Sequence, residues 1–143
     1  MSEPLIKRIQ SDEEILATYE VMRQLRPHLQ ADTYLTTVCR MMDSDGYRLV
    51  ALYEGERICA VAGYRLMEML NYGCLLKVDD LSTDEGLRAK GYGSCLLAWL
   101  KEEGRKQGCE ELHLDSGVQR ERTHRFYFRE ELTINCFHFR MPL

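Results

Sequence analysis

The sequence predicts a mixed α/β fold of the α+β kind: a mostly antiparallel sheet, a central β-α-β crossover, and helices on both faces. Three observations carry that prediction. Residues 47–66 read as two strands joined at Glu54-Gly55-Glu56, a hairpin turn. The second of these strands, RICAVAGYRL, is a continuous run of small and apolar residues, as expected of a strand covered on both faces. Residues 72–116 then run strand, loop, helix, strand, which places two parallel strands side by side through a right-handed crossover.

Each element has its own signal. Residues 4–10 (PLIKRIQ) form a first strand, with Leu5 or Ile6 and Ile9 apolar. Ser11 or Asp12 caps a helix running to about Leu25; Ser11, with Glu14 three residues on, resembles a capping box, and Pro27 breaks the helix. A second helix covers about residues 32–42, with Tyr34, Leu35, Val38, Met41 and Met42 on its apolar side, and the DSDG segment ends it. Strands follow at residues 47–53, 57–66 and 72–82. The central helix covers residues 91–107, with Leu96, Leu97, Trp99 and Leu100 apolar, and with Lys101, Glu102, Glu103, Arg105 and Lys106 as its solvated end. Gly108 closes it. A strand at 111–116, a short helix at 120–130 and a last strand at 132–141 complete the order. No repeat, linker or low-complexity stretch interrupts it, so residues 1–143 are expected to form a single domain.

Composition excludes several functions. The formal net charge is −4, with 19 Lys and Arg against 23 Asp and Glu. Such a surface does not favour non-specific binding to phosphate backbones, and it weakly favours cationic substrates such as amines. No apolar run approaches a membrane span, and the start of the chain has no signal-peptide core, so a cytoplasmic location is expected. The six cysteines form no Cys-x-x-Cys pair and are expected to be reduced, mostly buried small hydrophobes. Cys136 and His138 share one face of the last predicted strand, but two ligands without further support make a poor zinc site, and no metal is expected.

The most informative segment is LSTDEGLRAKGYGSCLL, residues 81–97. It contains Arg88-x-x-Gly91-x-Gly93 at the head of the central helix. Paired glycines let the backbone curl and aim its N–H groups at one point, and the helix adds its unpaired first-turn N–H groups and its positive dipole end. Arg88 and Lys90 add full charges. This suits a diphosphate. The same glycines also suit an ordinary loop before a core helix, and the residues alone leave both readings open. Two familiar phosphate motifs fit worse. A P-loop needs Lys-Ser/Thr after the last glycine, where Ser94 and Cys95 stand, and a dinucleotide fingerprint needs a third glycine where Leu96 stands.

The element order, together with LKVDDLSTDEGLRAKGYGSCLLAWLKEEGRKQG, resembles the GNAT superfamily of N-acetyltransferases over most of the chain, most closely over residues 75–132. The resemblance implies a GNAT-like sheet whose two parallel strands, 75–82 and 111–116, splay apart to leave a slot for the thioester of acetyl-CoA. Leu81, Ser82 and Thr83 match the strand end whose backbone pairs with the pantetheine arm. An N–H near Leu81 is placed to polarise the thioester carbonyl. Arg88, Ala89, Lys90, Gly91, Tyr92, Gly93 and Ser94 match the pyrophosphate loop. In THRFYF, Tyr127 stands where the family has a tyrosine beside the leaving sulfur; a phenol is protonated at neutral pH and donates to a forming thiolate. Read from composition alone, Tyr127 is one of several aromatics packing its helix.

The chain departs from the family pattern at Arg120, Thr123 and Glu131, where Asn, Ala and a turn glycine are usual. Glu131, in place of the turn glycine, predicts a different exit from the last helix and an irregular C-terminal sheet edge. One or two of Arg120, Arg122, Arg125 and Arg129 are candidates to hold the coenzyme's 3′-phosphate.

The implied reaction is direct transfer of acetyl from acetyl-CoA to a primary amine, without metal or acyl-enzyme, so Cys109 need not act as a nucleophile. A base is useful because alkylamines are mostly protonated at neutral pH. Asp115 is the first candidate. Asp79 and Asp80 come next, and strand alternation would let only one of them face the slot. His113 is a weaker option. The acceptor is a small amine or a peptide amine; Tyr34, His28, Met67, Met69 and Tyr72 are candidate lining residues and equally candidates for packing. Competing readings are a non-catalytic acyl-CoA-binding module and a binding domain using the arginine-rich helix. The apolar run INCFHF would be a hazard as a bare edge, which points to a homodimer.

Overall fold

The computed structural model describes residues 3–88 and 90–143. They fall into two compact units, one reaching to His113 and one starting at Leu114. The first holds the sheet. Its elements are β1 (Leu5–Ile9), α1 (Asp12–Ala17), α2 (Tyr19–Leu25), α3 (Ala31–Asp45), β2 (Arg48–Glu54), β3 (Arg57–Met69), β4 (Gly73–Thr83), a 3-10 turn (Glu85–Leu87), α4 (Tyr92–Lys106) and β5 (Glu111–Leu114). The five strands lie in sequence order, β1 to β5. The first four pair antiparallel, and β5 runs parallel to β4.

The capping box forms as predicted: Ser11 Oγ accepts from Glu14 N–H at 3.2 Å, and Glu14 Oε1 accepts from Ser11 N–H at 3.0 Å. The single helix predicted after it is two, α1 and α2, meeting at Thr18. Thr18 is fully buried, and its hydroxyl donates to the Ile15 carbonyl and meets Tyr34 Oη at 2.8 Å. A side chain that hydrogen-bonds the preceding turn commonly bends a helix at that point. Gly46 ends α3 with φ 68°, the left-handed conformation glycine adopts without a Cβ clash.

β2 shows why the sheet is covered on both sides. Leu49, Ala51 and Tyr53 share a buried cluster with Ile15, Val21, Tyr34 and Val38 of α1–α3. Their neighbours Val50 and Leu52 point to the opposite face and are fully buried, as are Leu96, Leu97 and Leu100 of α4. Glu103, predicted as solvated, is 2% exposed and pairs with Arg8 of β1, while Gln107 donates to it at 2.9 Å. Burial pushes its pKa up; the Gln107 amide and the Arg8 charge outweigh that and hold it below the usual carboxylate range. The cysteines also depart from expectation. All six are free, but only Cys59 is buried; Cys74, Cys95 and Cys136 are exposed.

The second unit carries α5 (Glu121–Arg129). Glu131 takes φ 68°, its N–H reaches the Phe128 carbonyl, and Leu132 N–H reaches the Tyr127 carbonyl at 3.0 Å. This is the left-handed helix ending that glycine usually serves, here built on glutamate, so the exit itself does not differ as the substitution predicts. The strand predicted at 132–141 does not form: residues 132–143 have no strand or helix, and Ile134, Phe137, Phe139 and Met141 are largely exposed. An apolar, β-prone sequence becomes a strand only where a neighbour offers a ladder, and among the described residues none does.

Candidate active site

The loop after β4 is held tightly at its start. Asp84 N–H bonds the Cys59 carbonyl at 2.9 Å, Asp84 Oδ1 caps Gly86 N–H at 3.1 Å, and Arg57 reaches Asp84 Oδ2 at 3.2 Å. Glu85 N–H donates to Gln24 Oε1 at 2.8 Å, tying the loop to α2. Together these fix where α4 begins. Gly91 is its N-cap, at φ 82°, and among the described residues beyond its chain neighbours no atom lies within 4 Å of where a Cβ would sit. Among the described residues no side chain caps the helix, which leaves its first-turn N–H groups without a capping acceptor. Arg88 and Lys90 are exposed beside it, Ser94 lies in the first turn, and Ala89 falls outside the described residues.

Tyr92, among the predicted loop residues, sends its side chain elsewhere. It is buried, and its hydroxyl pKa is pushed up to about 12, first because the hydroxyl hydrogen-bonds the Glu54 carboxylate and then by burial. Tyr92 therefore anchors α4 to the β2–β3 hairpin and offers a ligand only its main chain.

β4 outruns β5. Glu110 N–H bonds the Cys74 carbonyl at 3.0 Å, so the four residues of β5 lie beside the first half of the eleven-residue β4. Leu81, Ser82 and Thr83 pair on one side with Ala62, Val61 and Ala60 of β3, and no strand lies on their other side among the described residues. Ser82 Oγ donates to the Val21 carbonyl at 3.0 Å and pins this end of β4 to α2.

A β-bulge disturbs β4 between these regions. Gly63 pairs with Asp80 and Tyr64 with Val78, leaving Asp79 as the extra residue. Strict alternation would send the two carboxylates to opposite faces. The bulge instead draws both into one polar cluster. Arg65 Nε donates to Asp79 Oδ2 at 2.6 Å and stacks over the Tyr47 ring, and Tyr47 Oη donates to Asp80 Oδ2 at 2.7 Å. Arg26, just past α2, donates from Nε to Asp80 Oδ1 at 3.0 Å and from Nη2 to the Asp79 carbonyl at 2.9 Å. Burial, then the Asp80 charge and hydrogen bond, push the Tyr47 phenol well above its ordinary value, so it stays a donor.

Arg26, Tyr47 and Gly63 were not singled out by the sequence reading. The available signal was Gly63 inside a strand, since an internal strand glycine marks a bulge or a close backbone approach. Here a Cβ would stand 1.8 Å from Tyr47 Oη.

The remaining candidates are placed as follows. His113 Nε2 meets Glu111 Oε1 at 2.7 Å, and its ring packs edge-on to Tyr72. Tyr34 belongs to the core cluster, whereas His28, Met67 and Met69 are exposed. Within the second unit, Asp115 Oδ2 lies 3.4 Å from His138 Nδ1, and its side chain is half-exposed. Tyr127 is half-buried on α5 with the Phe126 ring at 5.4 Å, and Arg122, Arg125 and Arg129 are exposed on the same helix.

The sequence profile of the acetyltransferase (GNAT) family matches residues 10–131. The chain is 36% identical over 139 residues to the uncharacterized N-acetyltransferase YhdJ of Bacillus subtilis (strain 168), covering 96% of this chain and 98% of that one. It is 28% identical over 103 residues to the aminoalkylphosphonate N-acetyltransferase of Salmonella typhimurium, covering 72% of this chain and 67% of the relative. In fold it is similar to the aminoglycoside N-acetyltransferase AAC(6')-Iy in complex with CoA, with a TM-score of 0.83 at 15% identity over 100% of this chain and 97% of that one. An open helix head after a fixed loop, a β4 edge running past β5 and a profile match across most of the chain agree: the protein belongs to the acetyltransferase (GNAT) family and is an N-acetyltransferase.

Proposed function

We propose that the protein transfers an acetyl group from acetyl-CoA directly to a primary amine, with the coenzyme held at the head of α4 and along the outer edge of β4. The observation that carries this reading is Gly91. Its left-handed backbone and open surroundings leave the first-turn N–H groups of α4 uncapped beside Arg88 and Lys90, a donor set suited to a diphosphate. Acetyl-CoA supplies an activated thioester carbonyl. The main chain of Leu81, Ser82 and Thr83 offers strand-like hydrogen bonds to the pantetheine arm. The main chain of Ala89 through Ser94 takes the pyrophosphate. Tyr127 donates its phenolic proton to the departing thiolate.

For the base, Asp80 is the better-supported carboxylate. Two donors fix it, and it is mostly buried beside the open β4 edge, whereas Asp115 is half-exposed next to His138. Asp80 receives the ammonium proton, directly or through water, leaving the neutral amine free to attack.

Thermal melting with acetyl-CoA tests the coenzyme. At 100 times its dissociation constant, a ligand binding only the folded protein stabilises it by about 2.7 kcal/mol. A melting temperature unmoved by either acetyl-CoA or CoA would remove the coenzyme reading. Thiol release against a panel of amines then tests turnover and identifies the acceptor. The panel should include an aminoalkylphosphonate, a polyamine, an amino-acid derivative and a peptide with a free N-terminus and lysine.

The protein is further proposed to work in the cytoplasm as a homodimer, without nucleic-acid or membrane partners. Six free cysteines suit a reducing compartment, and a net charge of −4 does not suit nucleic acid. The exposed side chains of Ile134, Phe137, Phe139 and Met141 are the surface a second copy would cover. Sedimentation should give twice the chain mass; a monomer at all concentrations would reject the dimer.

A further inference from the structure

Asp80 sits where three separate parts of the first unit meet: two send it a polar group and the third makes room for one of them. Arg26 arrives from the end of α2 and spans the bulge, with one nitrogen on the Asp80 carboxylate and another on the Asp79 carbonyl. Tyr47 arrives from the turn before β2 and takes the second carboxylate oxygen. Gly63 of β3 makes room for that phenol, because a Cβ there would overlap it. Both oxygens of Asp80 are thus held by donors on different elements, while each keeps a lone pair for a further donor such as an ammonium.

The other titratable groups facing Asp80 are also committed. Asp79 is held by Arg65, which also approaches Asp45 at the end of α3 and stacks on Tyr47. Tyr34 of α3 feels the Asp80 charge, but its hydroxyl is bonded to Thr18.

We propose that Arg26 and Tyr47 are positioning residues for the transfer reaction, fixing the orientation of Asp80 at the β4 bulge. This rests on Asp80 as the group that takes the amine's proton. Arg26 holds one carboxylate oxygen by a charged hydrogen bond and locks the bulge by its second contact. Tyr47 is a neutral donor that sets the rotation of the carboxylate plane. The same arginine lies just past the end of α2, so the segment joining α2 to α3 is tied to the β4 bulge through it.

The test measures kcat and KM for the best amine of the panel in wild type, Arg26→Gln, Arg26→Lys, Tyr47→Phe and Asp80→Asn, and in the double variants that combine Arg26→Gln or Tyr47→Phe with Asp80→Asn. Loss of either contact to Asp80 should lower kcat by about 10-fold or more, with KM for acetyl-CoA little changed. In the Asp80→Asn background the same substitutions should cost little of the residual rate, because the group they position is already gone. Arg26→Lys should recover only part of the rate, because it loses the paired contact to the Asp79 carbonyl.

Losses in Arg26→Gln and Tyr47→Phe that persist undiminished in the Asp80→Asn background overturn the inference, since a purely structural arginine or phenol would depress the rate whether or not the carboxylate is there. If Arg26→Gln does not fold, the charge-retaining Arg26→Lys carries the test through its kcat, and a wild-type kcat there overturns the paired-contact role. Full activity in Asp80→Asn is a different failure: it removes Asp80 as the base.

Discussion

Replacing Tyr127 by phenylalanine should lower kcat by about 100-fold or more, the range seen when a positioned general acid is lost. The substitution removes one oxygen. The ring still packs beside Phe126 on a helix that buries no residue completely. Binding of acetyl-CoA should be nearly unchanged, because the phenol is asked to act only as the thiolate forms. The loss therefore belongs in kcat and kcat/KM alike, which marks an interaction made in the transition state. Steady-state kinetics with the best amine of the panel, together with a melting curve for each protein, make the comparison. Equal kcat in the two proteins would show that the leaving sulfur takes its proton from elsewhere. Only a rise in KM would recast Tyr127 as part of the coenzyme's binding surface.

How far the sequence disclosed this site depends on the range of the interaction involved. The hairpin at Glu54–Glu56 and the amphipathic α4 are local patterns, and both stand where the residues place them. The open head of α4 was also legible, because a glycine at the N-cap and a bare first turn are properties of a few consecutive residues.

Long-range partners were not legible. Glu103 reads as one more charge at a solvated helix end until Arg8, 95 residues away, is seen beside it. Asp79 and Asp80 read as alternating neighbours, but the extra residue in β4 brings both side chains into one polar cluster. The segment after Glu131 has the composition of a strand, but pairing depends on a neighbour that composition cannot report. Arg26 ends an ordinary helix before Pro27, and nothing local shows that its guanidinium reaches across 54 residues to a bulge.

Gly63→Ala gives the second large effect, and it separates packing from chemistry. The added methyl would lie 1.8 Å from Tyr47 Oη and 2.3 Å from Cζ, so one side chain or strand must move. Tyr47 is about 5% exposed and bonded to Asp80, which leaves the ring little room to retreat. Overpacking of this kind costs about 1–3 kcal/mol, visible as a lower denaturation midpoint. The displaced phenol also releases Asp80 Oδ2, so acetyl transfer should fall together with stability. Shortening Tyr47 in the same protein tests the cause. Gly63→Ala with Tyr47→Phe should stay destabilised, because Cζ remains in the way. Gly63→Ala with Tyr47→Leu should recover much of the stability, since the smaller side chain clears the methyl, yet it should stay slow because the donor to Asp80 is gone. Recovery of both stability and rate in that double variant would mean that Tyr47 matters only as filler. A stable and fully active Gly63→Ala protein would mean that the bulge tolerates a shift without losing its hold on the carboxylate.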